Sequence, residues 1–176
     1  MDKKVLFLDR DGVINFDYGY VHKAKDFVFI DGIFDLVRRA NRRGYLVIVI
    51  TNQAGIGRGY YSLSDFEVLC AWMMDRFKEK GAMINKIYHS PYHPTKGKGI
   101  FLKDDMSRKP NPGMILKACD EFDIDLTKSV LIGDKVSDIT AGRRAGVGRN
   151  ILFSQQGSRN EFECIDQLED ALCLLN

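Results

Sequence analysis

Residues 45–50 read YLVIVI and run directly into Thr51-Asn52-Gln53. A strand with one face in water alternates apolar and polar residues. This one is apolar at every position, so both of its faces need cover. A run this short and this rich in β-branched residues reads as a strand buried inside a sheet. Its neighbours supply the cover. Upstream, 31–43 has helical periodicity and is closed by Gly44. Downstream, 64–80 reads as a helix in which Ser64 is the N-cap, Glu67 completes a capping box and Gly81 ends the run. The alternation continues along the chain. Strands are expected at 4–8, 84–88, 129–132 and 150–153, and helices at 112–122, 137–145 and 165–175. Strand following helix in this way predicts an α/β fold: one Rossmann-like domain over 1–176, with a parallel sheet, helices on both faces and no large cap domain.

Composition sets wide bounds. The 176 residues are 45% hydrophobic and 28% charged, enough for one continuous core. A net charge of +2, with no block of basic residues, gives no reason to expect nucleic acid. No secretory leader or membrane span is legible, so a cytoplasmic protein is expected, without membrane partners and monomeric. Cys70, Cys119, Cys164 and Cys173 are scattered in apolar, helix-like surroundings and read as buried free thiols. The one long irregular stretch, 89–111, holds four lysines, two glycines and three of the four prolines. A connection of that length in a small domain is functional or mobile.

In such a sheet ligands bind beyond the carboxyl ends of the strands, so the polar residues after each apolar run should converge. These are Asp9-Arg10-Asp11-Gly12, Thr51-Asn52-Gln53 and Gly133-Asp134-Lys135 with Asp138. The long stretch adds Arg108-Lys109-Pro110. Each alone has a plain alternative: Asp-Gly is a common turn, and a Ser or Asp near a helix start is a common cap. Together, in this order, they resemble the haloacid-dehalogenase-like (HAD) superfamily of phosphatases. D-x-D-G matches Asp9, Asp11 and Gly12; the Ser/Thr after a hydrophobic strand matches Thr51; the lysine matches Lys109; the acidic motif matches Gly133, Asp134 and Asp138.

The resemblance implies a Mg²⁺-dependent phosphomonoesterase in which Asp9 is the nucleophile and forms an aspartyl-phosphate. Asp11 is implied as acid and then base, with its backbone carbonyl on the metal. Asp9, Asp11 and Asp134 are the implied metal ligands, and Thr51, Arg108 and Lys109 the groups that hold the phosphoryl oxygens. Finer matches, among them 17–21, 51–61, 108–114 and 133–135, look like the D-glycero-D-manno-heptose 1,7-bisphosphate 7-phosphatases, with the histidinol-phosphate phosphatases as close relatives. The implied substrate is a small sugar phosphate in surface-polysaccharide biosynthesis. The implied contacts are Asp17, Tyr18, Gly19, Tyr20, Asn52, Gln53, Ala54, Arg108, Lys109 and Lys135. Histidinol phosphate or another small sugar phosphate is the alternative substrate, and a non-catalytic HAD-fold binding domain the alternative class.

One departure stands out. The family carries a zinc loop, C-x-H followed by C-x-C just before R-K-P. Here the four ligand positions hold Ser90, Tyr92, Asp105 and Ser107. With no thiolate left, zinc is not expected.

Overall fold

The computed structural model describes residues 3–154 and 161–175. Strands β1 (Val5–Leu8), β2 (Leu46–Asn52), β3 (Lys86–Ser90), β4 (Val130–Gly133), β5 (Arg149–Phe153) and β6 (Glu163–Ile165) pair in one sheet of order β3-β2-β1-β4-β5-β6. Every pairing is parallel. Helices α1 (Ile33–Arg42), α2 (Ala54–Arg58), α3 (Leu63–Glu79), α4 (Gly113–Phe122) and α5 (Val136–Ala145) fill the crossovers.

The strand sequences divide residue by residue between two cores, because successive side chains on a strand point to opposite faces. Leu6, Leu8, Val47, Val49, Val130 and Ile132 pack with Ile33, Leu36 and Val37 of α1 and Leu69, Met73 and Phe77 of α3. Val5, Phe7, Ile48, Ile50 and Leu131 pack on the other side with Met114, Ile115 and Ala118 of α4 and Ile139 and Ala141 of α5. That division is why YLVIVI is apolar throughout.

Several boundaries differ from the sequence reading. Helix α3 begins earlier: Ser62, not Ser64, is the N-cap, accepting from Asp65 N at 3.0 Å while Asp65 Oδ2 accepts from Ser62 N at 2.8 Å. Two overlapping frames offer a hydroxyl and an acid three residues apart, and this one lets Phe66, Leu69, Met73 and Phe77 all reach the core. The expected strand at 84–88 is shifted to Lys86–Ser90, and α2 occupies a stretch to which the sequence reading assigned no element. The expected helix at 165–175 is present as a shorter 3-10 helix, Leu168–Leu174, and it is preceded by β6, which covers the edge of β5. Its apolar residues Leu168 and Ala171, three apart, suit that tighter helix. All four cysteines are free, but Cys173 is exposed and the other three are only partly buried. Among the described residues no helix is long and apolar enough to cross a membrane.

The connections from β1 to β2 to β3 step one way along the sheet, and β4 lies on the other side of β1. The chain therefore reverses direction between β1 and β4, and a crevice opens at their carboxyl ends.

Candidate active site

Asp9 follows β1, and its N–H continues the ladder to Ile132 O at 3.1 Å. Asp134 follows β4, and Thr51 and Asn52 close β2. The sheet thus delivers Asp9, Thr51 and Asp134 to one edge, as the strand pattern requires.

Lys109 sits at the centre of the charge arrangement. Its Nζ lies 2.8 Å from Asp9 Oδ1, 2.7 Å from Asp138 Oδ1 and 2.8 Å from Ile50 O. The residues are 3%, 6% and 1% exposed for Lys109, Asp9 and Asp138, so this is a desolvated ion cluster. The loop that carries Lys109 is fastened to β2 by the Asn52 side-chain amide, which donates to Lys109 O and accepts from Lys109 N, both at 3.0 Å. Asn52 lines the cavity, but its amide is occupied in holding this loop.

Carboxylate oxygens of Asp9, Asp134 and Asp138 come within 4.8 Å of one another. With all three ionised, the buried Lys109 ammonium and the rim ammonium of Lys135, 3.7 Å from Asp134 Oδ2, leave the cluster with surplus negative charge. Burial raises the Asp9 carboxyl well above the ordinary range; Lys109 opposes this, and the charges of Asp138 and Asp134 add to it. Burial likewise raises Asp134, although Lys135 opposes it. Asp134 Oδ1 is buried with no hydrogen-bond partner. Both Asp138 oxygens are occupied, one by Lys109 and the other by Lys135 N at 3.0 Å. An all-oxygen donor set, an orphaned carboxylate oxygen and surplus negative charge fit a hard divalent cation held chiefly by Asp9 and Asp134. Gly12 makes room for this arrangement. Its φ is +93°, and a Cβ there would lie 2.2 Å from Asp134 Oδ2.

The second aspartate of the opening motif faces a different environment. The Asp11 carboxylate is gripped by Arg10, whose Nη2 lies 2.7 and 2.9 Å from its two oxygens and whose Nε lies 3.2 Å from Oδ1. Asn15 Nδ2 and Gln53 Nε2 each donate to it at 3.0 Å. Gln53 also donates to Thr51 Oγ1 at 2.8 Å and accepts from Tyr61 Oη at 2.5 Å, so one amide ties together Asp11, Thr51 and the loop after α2.

A cavity of about 580 Å³ opens over these groups. Asp9, Asp11, Asp17, Gly19, Tyr20, Asn52, Gln53, Ala54, Arg108, Lys109 and Lys135, all expected from sequence, line it. Thr51 is fully buried beneath it. Tyr18 is outside the lining, largely exposed and stacked on Phe16. Asp17 accepts from Gly19 N at 3.0 Å and pairs with Lys135 Nζ at 3.1 Å across the rim.

Sequence reasoning assigned no role to Arg10 and did not pair Asp138 with Lys109. Asp138 was signalled by its motif; Arg10 was hidden as the unspecified residue of D-x-D. At the positions of the family's zinc ligands, Ser107 Oγ lies 2.9 Å from Ser90 Oγ and donates to Asp105 Oδ1 at 2.7 Å. Lys103 Nζ lies 2.9 Å from Asp105 Oδ2 and 4.4 Å from the centre of the Tyr92 ring. These side chains link the end of β3 to the segment that carries Arg108.

Comparison with known proteins gives the chain its relatives. The HAD-hydrolase-like family matches residues 106–160. A D-glycero-alpha-D-manno-heptose-1,7-bisphosphate 7-phosphatase from Burkholderia mallei is 56% identical over 87% of this chain and 81% of its own. A D-glycero-beta-D-manno-heptose-1,7-bisphosphate 7-phosphatase from Vibrio cholerae is 42% identical over 97% of this chain and 95% of its own. Among solved structures, a D,D-heptose 1,7-bisphosphate phosphatase from B. bronchiseptica, complexed with magnesium and phosphate, superposes with a TM-score of 0.83 at 25% identity, covering 98% of this chain and 97% of that one. The chain is a phosphatase and belongs to the heptose-1,7-bisphosphate 7-phosphatase family of HAD-like hydrolases.

Proposed function

We propose that the chain hydrolyses the 7-phosphate of D-glycero-D-manno-heptose 1,7-bisphosphate in the biosynthesis of surface polysaccharide, using Mg²⁺. The observation that carries this reading is the buried Asp9–Lys109–Asp138 cluster beside the unpartnered Asp134 oxygen, placed under a cavity of sugar-phosphate size. Asp9, Asp134 and the Asp11 backbone carbonyl would hold the cation. When bound it neutralises the phosphate dianion and the carboxylate that must approach it.

Asp9 attacks phosphorus. The bond from Asp9 oxygen to phosphorus forms as the bond from phosphorus to the C7 oxygen breaks. Asp11 delivers a proton to the departing alkoxide. In the second half Asp11 takes a proton from water, the water oxygen bonds to phosphorus, and the aspartyl-phosphate bond breaks to release phosphate and restore Asp9. Arg10, Asn15 and Gln53 hold the ionised Asp11 at the cavity wall, the state that takes the proton from water. Lys109 orients Asp9 and opposes the burial that favours its protonated form, and it shares the phosphoryl oxygens with Thr51.

Steady-state kinetics on a panel of phosphate esters tests this, with Asp9→Asn as control. The heptose bisphosphate should have the highest kcat/KM, and Asp9→Asn should lower kcat by about 10⁴-fold or more. A higher kcat/KM for histidinol phosphate refutes the substrate, and undiminished phosphate release by the variant refutes the nucleophile.

A further inference from the structure

His93 lines the same cavity as Asp9, Asp11 and Arg108. Its ring is held in one state by its own loop. Nδ1 faces the backbone N–H groups of Thr95 at 3.2 Å and Lys96 at 3.1 Å, so it accepts from both. A proton on Nδ1 would set N–H against N–H and abolish two hydrogen bonds. The proton of the neutral ring is therefore on Nε2, and Nε2–H is the polar group the ring has left for the cavity. The main chain around it is fixed as well: His93 N donates to Phe101 O at 3.0 Å, and Lys98 N to Gly57 O at 2.9 Å. Gly57 allows this close approach, since a Cβ there would lie 2.3 Å from Pro91 O.

The surroundings are cationic. Arg108 Nη1 donates to the carbonyl of Tyr92, next to His93, at 2.9 Å, and leaves the rest of the guanidinium for the cavity. Arg58, stacked on Tyr20 and Tyr60, and Lys96 add positive charge on this side. Partial burial and the charges of Arg108, Lys96 and Arg58 all push the His93 imidazole toward its neutral form. A fixed neutral donor beside a guanidinium is suited to an anion that is bound rather than transformed. In the reading given above, the phosphate under attack is already served by Lys109 and Thr51.

We propose that His93, as a neutral Nε2–H donor acting with Arg108, recognises the second phosphate of a sugar bisphosphate and so sets the preference for bisphosphate over monophosphate. This rests on the reading of the substrate given above.

Two variants separate recognition from loop structure. Asn at position 93 can offer Oδ1 to the Thr95 and Lys96 N–H groups but does not reach the cavity; Gln reaches the position of Nε2. His93→Asn should raise KM for heptose 1,7-bisphosphate by about 10-fold to 100-fold, the loss of one hydrogen bond to a charged group. Its kcat, and its kinetics on heptose 7-phosphate, should be unchanged. His93→Gln should recover most of the KM. Equal weakening of mono- and bisphosphate by His93→Asn overturns the proposal, because the partner would then be a sugar hydroxyl or the loop itself. An unchanged KM for the bisphosphate also overturns it. A wild-type enzyme with no preference for the bisphosphate overturns both this inference and the substrate reading, whereas a preference that survives His93→Asn overturns this inference alone. Independently, ¹⁵N spectra of the free protein at pH 7 should show the Nε2–H tautomer for His93, and an Nδ1–H or charged ring refutes the geometry.

Discussion

Replacing Lys109 with methionine keeps a chain of similar length and removes its charge. The change takes the only buried ammonium out of a cluster whose carboxylates lie 2.8 Å (Asp9) and 2.7 Å (Asp138) from it, and it deprives Ile50 O of a donor at 2.8 Å. Breaking a buried ion pair by removing one partner costs about 3–5 kcal/mol, because the other charge is left desolvated. For a domain of this size each kcal/mol moves Tm by about 2–4 °C, so Lys109→Met should melt about 6–20 °C lower than the wild type. The measurement is urea and thermal unfolding in chelator, so that no bound cation masks the loss. A second variant makes the argument specific. In Lys109→Met/Asp138→Asn one of the stranded charges is gone and the amide can still accept from Lys135 N. That double variant should recover at least about 1 kcal/mol relative to Lys109→Met, as expected for residues in direct contact. A loss below about 1 kcal/mol in the single variant, or a double variant less stable than the single, would refute the view that Lys109 is the internal counter-ion of the site.

Two further outcomes follow from the same electrostatics. In chelator, the raised Asp9 and Asp134 carboxyls favour the folded state while protonated, so their contribution is present below the ordinary carboxylate range and is lost as pH rises through their raised values. Mg²⁺ at 100 times its Kd should then restore about 2.7 kcal/mol at neutral pH, read as a thermal shift that shrinks as the pH is lowered and is absent in Asp134→Asn; a shift independent of pH and of Asp134 would place the cation elsewhere. Arg10→Met releases the Asp11 carboxylate from its bidentate partner and should lower kcat about 10²-fold while leaving the Mg²⁺ thermal shift intact, the signature of a misplaced proton donor; unchanged turnover would remove Arg10 from the positioning of Asp11.

What the sequence determined alone is the sheet and its edge. Continuous apolar runs at 5–8 and 45–50 are satisfied only by burial on both faces, and strand ends bearing Asp9, Thr51 and Asp134 must then share one side of the sheet. Local patterns were less decisive where two fits were nearly equal. The overlapping Ser62 and Ser64 frames differ only in how α3 meets the core, and Glu163–Ile165 pairs as β6 with the open edge of β5 before the C-terminal residues turn into a 3-10 helix. The partnerships inside the site belonged to tertiary structure. Lys109 meets Asp9 across 100 residues of chain and Asp138 across 29, and neither distance leaves a periodic trace in sequence. Arg10 reads as an arbitrary residue until Asp11 is seen in its grip, and His93 reads as an ordinary loop histidine until its Nδ1 is seen turned to its own backbone. Hydrophobic periodicity is a property of neighbouring residues, which the chain carries openly. The state of a buried charge or a ring nitrogen depends on what folding brings within 3 Å of it, which no single stretch records.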